Sequence, residues 1–131
     1  MDVIARWREI AHTRDAEALA ELLAEDVVFR SPVVRAPQRG KAITLKYLTA
    51  AFDVLFSPEF AYVGEWRGDN SAVLEFTTTV EGIEINGVDI ITWDASGRIV
   101  EFKVMARPLK GINLLHRLMG ERLAAQAAAS A

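Results

Sequence analysis

Ile83-Glu84-Ile85-Asn86-Gly87-Val88-Asp89-Ile90-Ile91-Thr92-Trp93 runs into the turn Asp94-Ala95-Ser96-Gly97. Its β-branched and aromatic content marks a strand. One carboxylate, Asp89, interrupts the apolar part of the run. Such a group is solvated on an outer face, paired with a cation such as Arg98 or Arg107, or held in an apolar cavity where its pKa rises and it can donate a proton. Asn86-Gly87 is a hairpin signal, but a hairpin there would leave very short strands. A bulge inside one long bent strand is therefore predicted, with Asp89, Ile91 and Trp93 facing the same way as earlier residues of opposite parity.

Around this strand, turn chemistry at Gly68-Asp69-Asn70, Glu81-Gly82 and Ala95-Ser96-Gly97 divides the second half of the chain. Four antiparallel strands are predicted, over about 59–67, 72–80, 83–93 and 98–107. The first half has helical period. Val3, Ile4, Trp7, Ile10 and Ala11 share one face of a helix over 2–12. Asp15 can cap a second, shorter helix that buries Leu19, Leu22 and Leu23. A short strand over 26–31 stops at Pro32, 33–40 reads as loop, and Leu45, Leu48, Phe52 and Leu55 form the stripe of a helix over 41–55. Beyond Pro108 comes a last helix over about 109–126, with Leu115, Leu118, Met119 and Leu123 as its apolar side and a fraying tail over 127–131. Helices first and a strand meander afterwards argue α+β. Three N-terminal helices packed on a strongly curved antiparallel sheet would form a cone-shaped barrel open at one end, with the C-terminal helix added to it.

The chain has 131 residues, 51% of them hydrophobic, and a net charge of −3; its mean hydropathy is +0.15. One domain over 1–131, with its core in 3–108, accounts for that length. Lysines and arginines are scattered rather than striped, so neither nucleic acid nor a membrane surface is an expected partner. Cysteine is absent, and His12 and His116 stand far apart, so no metal site is expected. Without a signal-type or membrane-spanning apolar run, the expected location is the cytoplasm.

The order of elements, together with three local segments, resembles the nuclear transport factor 2-like superfamily, which includes SnoaL-like cyclases, ketosteroid isomerase, limonene epoxide hydrolase and scytalone dehydratase. The segments are Thr13-Arg14-Asp15-Ala16-Glu17-Ala18-Leu19, the run from Leu23 through Asp26-Val27-Val28-Phe29-Arg30-Ser31-Pro32-Val33, and Arg39-Gly40-Lys41-Ala42-Ile43. Gly97-Arg98-Ile99-Val100-Glu101 is similar to the superfamily's last hairpin. The resemblance covers about 3–108. It implies a cystatin-like cone, a small hydrophobic molecule as ligand, no cofactor, and a homodimer through the outer sheet face at Glu75, Thr77 and Thr79, joined by Glu101, Lys103 and Met105.

By the same resemblance, Asp89 stands where ketosteroid isomerase keeps a protonated aspartic acid. Ser31 stands where that enzyme has its aspartate base, and Trp7 where it has an oxyanion tyrosine. Serine holds no proton-accepting charge near neutrality, and indole lacks an acidic hydroxyl, so isomerisation through that pair is not supported. The epoxide hydrolase pattern would need a second inward carboxylate and an arginine from among Glu75, Glu101, Arg30 and Arg107. Alternation along Leu74, Phe76, Thr78 and Val80 turns Glu75 outward.

Asp89 is thus the candidate catalytic residue, with Trp7, Phe29, Ser31, Tyr47, Ile91, Trp93 and His116 as candidate pocket walls. Phe52, Phe60, Tyr62 and Trp66 offer further aromatic bulk. Trp7 and Phe52 fit helical core stripes equally well, and Ser31 has no histidine near it in sequence to activate it as a nucleophile. His12 suits the end of the first helix, where a cation is favoured. Three functional readings follow: a cofactor-independent isomerase, cyclase or hydratase acting on a small carbonyl or epoxide compound; a non-catalytic ligand-binding or accessory domain; and a dimerisation module with a filled core.

Overall fold

The computed structural model describes residues 2–130, so the end of the predicted fraying tail at Ala131 lies outside the described residues. Helix α1, Val3–Thr13, starts where the Asp2 carboxylate accepts from the Ala5 amide at 3.0 Å. It stops at Arg14, whose left-handed backbone turns its N–H back to the Ile10 carbonyl. Helix α2, Ala16–Leu22, is capped by Asp15 through the Ala18 amide as its sequence predicts. Seven residues make a marginal helix alone; burial of Ala18, Leu19 and Leu22 holds this one. Strand β1 occupies Leu23–Arg30, β2 is the pair Gln38–Arg39, and α3 covers Lys41–Leu55.

Strands β3 (Ala61–Arg67), β4 (Ser71–Val80), β5 (Ile83–Trp93) and β6 (Ile99–Arg107) form the expected antiparallel meander. Two further strands extend it, giving the order β2-β1-β6-β5-β4-β3. β1 starts three residues earlier than its sequence pattern suggests and lies parallel to β6, so the sheet is mixed rather than wholly antiparallel. The two-residue β2 falls in the segment expected to be loop. The sheet is curved and unclosed, with β2 and β3 at its edges.

Helices α1 to α3 cover the concave face. A line of rings fills the space between: Tyr47 meets Phe29 at 5.4 Å, Phe29 meets Phe102 at 6.2 Å, Phe102 meets Trp7 at 4.8 Å and Trp7 meets Phe52 at 5.7 Å between centroids. The line continues through Phe56 and Phe60 to Phe76. Helix α4 runs from Leu109 to Ser130, past the expected end at 126. Leu114 and Leu115 are buried, Arg117 pairs with Glu81 at 2.9 Å, and Arg122 pairs with Asp53 of α3 at 2.7 Å. The Gln126 amide reaches the Lys46 carbonyl at 3.2 Å, which lays the second half of α4 along α3 in antiparallel sense. Among the described residues no helix is long and apolar enough to cross a membrane.

The predicted bulge at Asn86-Gly87 is not there. β4 and β5 pair without a shift from Val80↔Ile83 to Ser71↔Thr92, and Ile85, Gly87, Asp89 and Ile91 share the buried face by simple alternation. Irregularities fall instead between Tyr62 and Gly64 and between Thr92 and Trp93. Gly87 has a packing reason: a Cβ there would lie 2.6 Å from the Met105 carbonyl oxygen and 2.6 Å from the Phe76 ring. Gly87→Ala is expected to cost about 1–3 kcal/mol in chemical denaturation, the range for forcing atoms into a packed interior. A variant within about 0.5 kcal/mol of wild type would mean that Phe76 and β6 yield freely at this point.

Candidate functional site

Asp89 sits at the centre of β5, opposite Leu74 on β4 and Val104 on β6. Opposed residues in an antiparallel ladder project from the same face, so the carboxyl emerges between two apolar neighbours. Only 6% of the residue is exposed. Its partner is neither Arg98 nor Arg107. The Tyr62 hydroxyl donates to Asp89 Oδ2 at 2.5 Å and accepts from Trp7 Nε1 at 3.0 Å. Arg107 is occupied by the Asn86 side chain at 2.9 Å on the outer face, and Arg98 is exposed at the β5–β6 turn.

Tyr62 reaches Asp89 across a whole strand. It is opposite Phe76 on β4, whereas Asp89 is opposite Leu74, so the phenol must extend diagonally over β4. The irregularity after Tyr62 reverses the parity of β3: Tyr62 is aligned with the inward Phe76, and beyond it Glu65 and Arg67 are aligned with the inward Leu74 and Ala72. Those two side chains receive α1, through Arg8 with Glu65 at 2.9 Å and Arg67 with Asp2 at 3.0 Å. Trp66 is turned to the outer face, 58% exposed, and does not wall the interior as its sequence parity with Tyr62 suggests.

Burial is the larger influence on Asp89, since removing a carboxylate from water penalises its charged form. The hydrogen bond from Tyr62 opposes this by stabilising the anion. The outcome is a pKa raised to about 7. Tyr62 is pushed well above the ordinary phenol value, first by burial and then by the neighbouring Asp89 charge, while Trp7 and Arg8 act in the other direction. Tyr62 therefore remains a neutral donor, and of this pair it is Asp89 that titrates near neutrality.

The other sequence candidates divide into two groups. Trp7, Phe29 and Ile91 are buried around the site, and Tyr47 packs on Phe29; Trp7 belongs both to the core and to the hydrogen-bonded chain. Ser31 has a turn role: its Oγ accepts from the Val33 and Val34 amides at 3.0 and 3.4 Å, so it shapes the turn after β1, and the partner of Asp89 is Tyr62 instead. Trp93 is half-buried at the far end of β5, and His116 is exposed on α4 rather than lining the interior. Arg30 pairs with Glu101 at 3.3 Å, and Glu75 accepts from Asn86, so none of these supplies a second carboxylate at Asp89. Among the described residues no group of three or more His, Asp or Glu side chains is placed to hold a metal ion.

A curved sheet with an α-layer over its concave face, aromatic filling and one inward carboxyl defines a cone-shaped α+β domain of the cystatin-like kind. The SnoaL-like domain model matches residues 4–102, and the chain belongs to that family, within the nuclear transport factor 2-like superfamily. A steroid delta-isomerase from Pseudomonas aeruginosa is similar at 38% identity and a TM-score of 0.90, over 96% of this chain and 92% of that one. A protein with a cystatin-like fold from Silicibacter pomeroyi is 31% identical, with a TM-score of 0.89 over 97% and 89% of the two chains. The epoxide hydrolase/cyclase-like enzyme SalBIII, of pyran ring formation in the polyether salinomycin, shares the fold at 17% identity and a TM-score of 0.66, over 81% and 88%. No curated protein matches the chain in sequence.

The raised pKa has a consequence for stability. Below about pH 4 both folded and unfolded Asp89 hold a proton. Between about pH 4 and 7 the folded form keeps it while the unfolded form, with its value near 3.8, loses it, so stability falls as pH rises and levels off above about 7. At about 1.4 kcal/mol per pH unit the whole effect is on the order of 4 kcal/mol. Asp89→Asn should remove this slope, so that the variant gains on wild type from pH 4 to pH 8 in urea titrations. Parallel curves for the two proteins would mean that Asp89 is ionised in the folded state at acid pH.

Proposed function

We propose that this protein performs cofactor-independent acid/base chemistry, an isomerisation, cyclisation or hydration, on a small hydrophobic molecule bearing a carbonyl or epoxide, with Asp89 as the proton donor and acceptor. The observation that carries this reading is the solitary buried carboxyl with a tyrosine hydroxyl on one oxygen. A general acid works best when its pKa lies near the working pH, and burial supplies that match here. In the forward step the neutral Asp89 gives its proton to the substrate oxygen. The carboxylate left behind keeps the 2.5 Å hydrogen bond from Tyr62, and then recovers a proton from the carbon or hydroxyl that the rearrangement acidifies. Trp7 Nε1, donating to the same phenolic oxygen, holds Tyr62 in the orientation this requires.

Similarity to the Pseudomonas aeruginosa steroid delta-isomerase supports the isomerase form of the proposal. One observation favours the second reading, a non-catalytic ligand-binding or accessory domain: Ser31 is committed to a turn, and among the described residues Asp89 is the only buried acid. The two separate by experiment. Ligands found by thermal shift among hydrophobic ketones, lactones, epoxides and polyketide-like aromatics are assayed for turnover by wild type, Asp89→Asn and Tyr62→Phe. The enzyme reading expects Asp89→Asn to lose about 100-fold or more in kcat, as removing a general acid does, with Tyr62→Phe shifting the pH profile. Ligands that bind wild type and both variants without turnover would support the binding domain.

We also propose that the outer sheet face pairs two copies of the chain, with the cytoplasm as the setting. Trp66, Val73 and Ile90 lie in one cross-strand row, and Val88 and Met105 in the next. Glu75 and Lys103 flank them, so that a two-fold axis through the patch sets opposite charges facing. Ile90→Glu should convert a dimer into a monomer near 14.5 kDa by sedimentation. A wild-type chain that already sediments as a monomer at micromolar concentration would rule the pairing out.

A further inference from the structure

A cleft of about 280 Å³ opens between the C-terminal half of α1 and the turn that joins α3 to β3. The acid/base chemistry of Asp89 does not use it. Rings of Phe56, Phe60 and Tyr62 line one side, and Arg8, His12 and Arg14 line the other. Phe56 and Phe60 stack at 4.0 Å with 14° between their planes, and Phe60 meets Tyr62 edge-on at 5.1 Å. The Arg8 guanidinium carbon stands 5.1 Å from the Tyr62 ring centroid. Tyr62 thus has two environments, with its ring at the cleft and its hydroxyl inside the fold.

Positive charge is in surplus here. Glu65 serves both Arg8 and Arg67, at 2.9 and 2.6 Å. Asp53 serves Arg122 at 2.7 Å and Arg14 at 3.7 Å, and the Arg14 guanidinium also donates to the Phe56 carbonyl. Asp2 adds a third carboxylate, on Arg67. Among the residues that line the cleft, Arg8, His12 and Arg14 are basic and none is acidic, and His12 has no acidic partner among the described residues. Every one of these pairs is solvent-exposed, and such pairs contribute only about 0–1 kcal/mol, so an arginine here can exchange its acid for a ligand's. Guanidinium groups favour carboxylates, which they bind in a planar, two-pronged manner. The negative end of the α1 dipole, roughly half a charge, is smaller than the surplus and is partly met by the Arg14 amide on the Ile10 carbonyl.

We propose that this cleft is a binding site for a small aromatic carboxylate, with the acid group on Arg8, His12 and Arg14 and the ring against Phe60 and Tyr62. Its volume lies just below the usual range for ligand pockets, which suits a one-ring ligand. The cleft shares the Tyr62 ring with the Asp89 site, but its test reads binding alone and needs no turnover at Asp89.

Benzoate is the probe, with benzamide as its neutral isostere and acetate as the acid without a ring, each titrated into the full chain and followed by ¹⁵N amide shifts. Benzoate should move the amides of His12, Phe60, Ala61 and Tyr62 in a saturable way. Benzamide, which lacks the charge, and acetate, which lacks the ring, should each bind about tenfold more weakly or worse, as loss of a charge-assisted hydrogen bond does for the first and loss of ring burial for the second. His12→Gln and Arg8→Gln alter exposed side chains and should each weaken benzoate several-fold while keeping the wild-type amide spectrum elsewhere. The proposal is overturned if benzoate and benzamide bind alike, if the shifts map to another surface, if both variants bind as wild type does, or if no saturable shift occurs at millimolar benzoate.

Discussion

The structure turns on the hydrogen bond from Tyr62 to Asp89, because a carboxyl in the middle of a buried sheet face must find a donor or remain an uncompensated polar group. Its neighbours in register, Leu74 and Val104, have nothing to offer. The donor comes from two strands away, and the irregularity after Tyr62 is what allows it. The same break turns Glu65 and Arg67 toward α1, where they bind Arg8 and Asp2. α1 in turn delivers Trp7, whose indole fixes the phenol. A single shift in an edge strand therefore aims the donor, turns two ion-pair partners toward the first helix and completes the hydrogen-bonded chain. The parts depend on one another through Tyr62.

Much of this architecture can be read directly from sequence periodicity. The helical stripe Val3, Ile4, Trp7, Ile10 and the alternation Leu74, Phe76, Thr78 each encode a face, and those faces are buried as expected. Capping by Asp15 is a local matter and is legible for that reason. Parallel pairing of β1 with β6 is not local, and a two-residue strand such as β2 has no period to detect. Asn86-Gly87 misleads because turn chemistry and close packing both select glycine; here the Phe76 ring and the Met105 carbonyl do so. Trp66 misleads for the opposite reason, since alternation assigns it to the face of Tyr62 and only the irregularity between them exchanges the two.

Asp89 itself is legible as an anomaly, but its partner is not. Tyr62 reads as one aromatic among several, and nothing in its immediate sequence marks a diagonal reach across β4. Arginine partners are the simpler expectation for a buried acid, and they would lower its pKa; a neutral phenol leaves burial in control and raises it. The identity of the partner decides whether the group is a fixed anion or a proton donor near neutrality. That distinction exists only in three dimensions.

The chemistry of Asp89 bears on why an acid occupies this place. Asparagine has nearly the same shape and can accept the same hydrogen bond from Tyr62 without the penalty that burial imposes on ionisation. Leucine would match the apolar neighbours, leaving Tyr62 to Trp7. Aspartate alone adds a transferable proton, and it does so at a cost in stability above pH 4 that neither alternative carries. Local rules are broken in this way at functional sites, where the loss is offset elsewhere in the fold. In this fold the offset comes from the apolar interior, so the same burial that stabilises the cone also raises the pKa of Asp89, the one buried acid among the described residues.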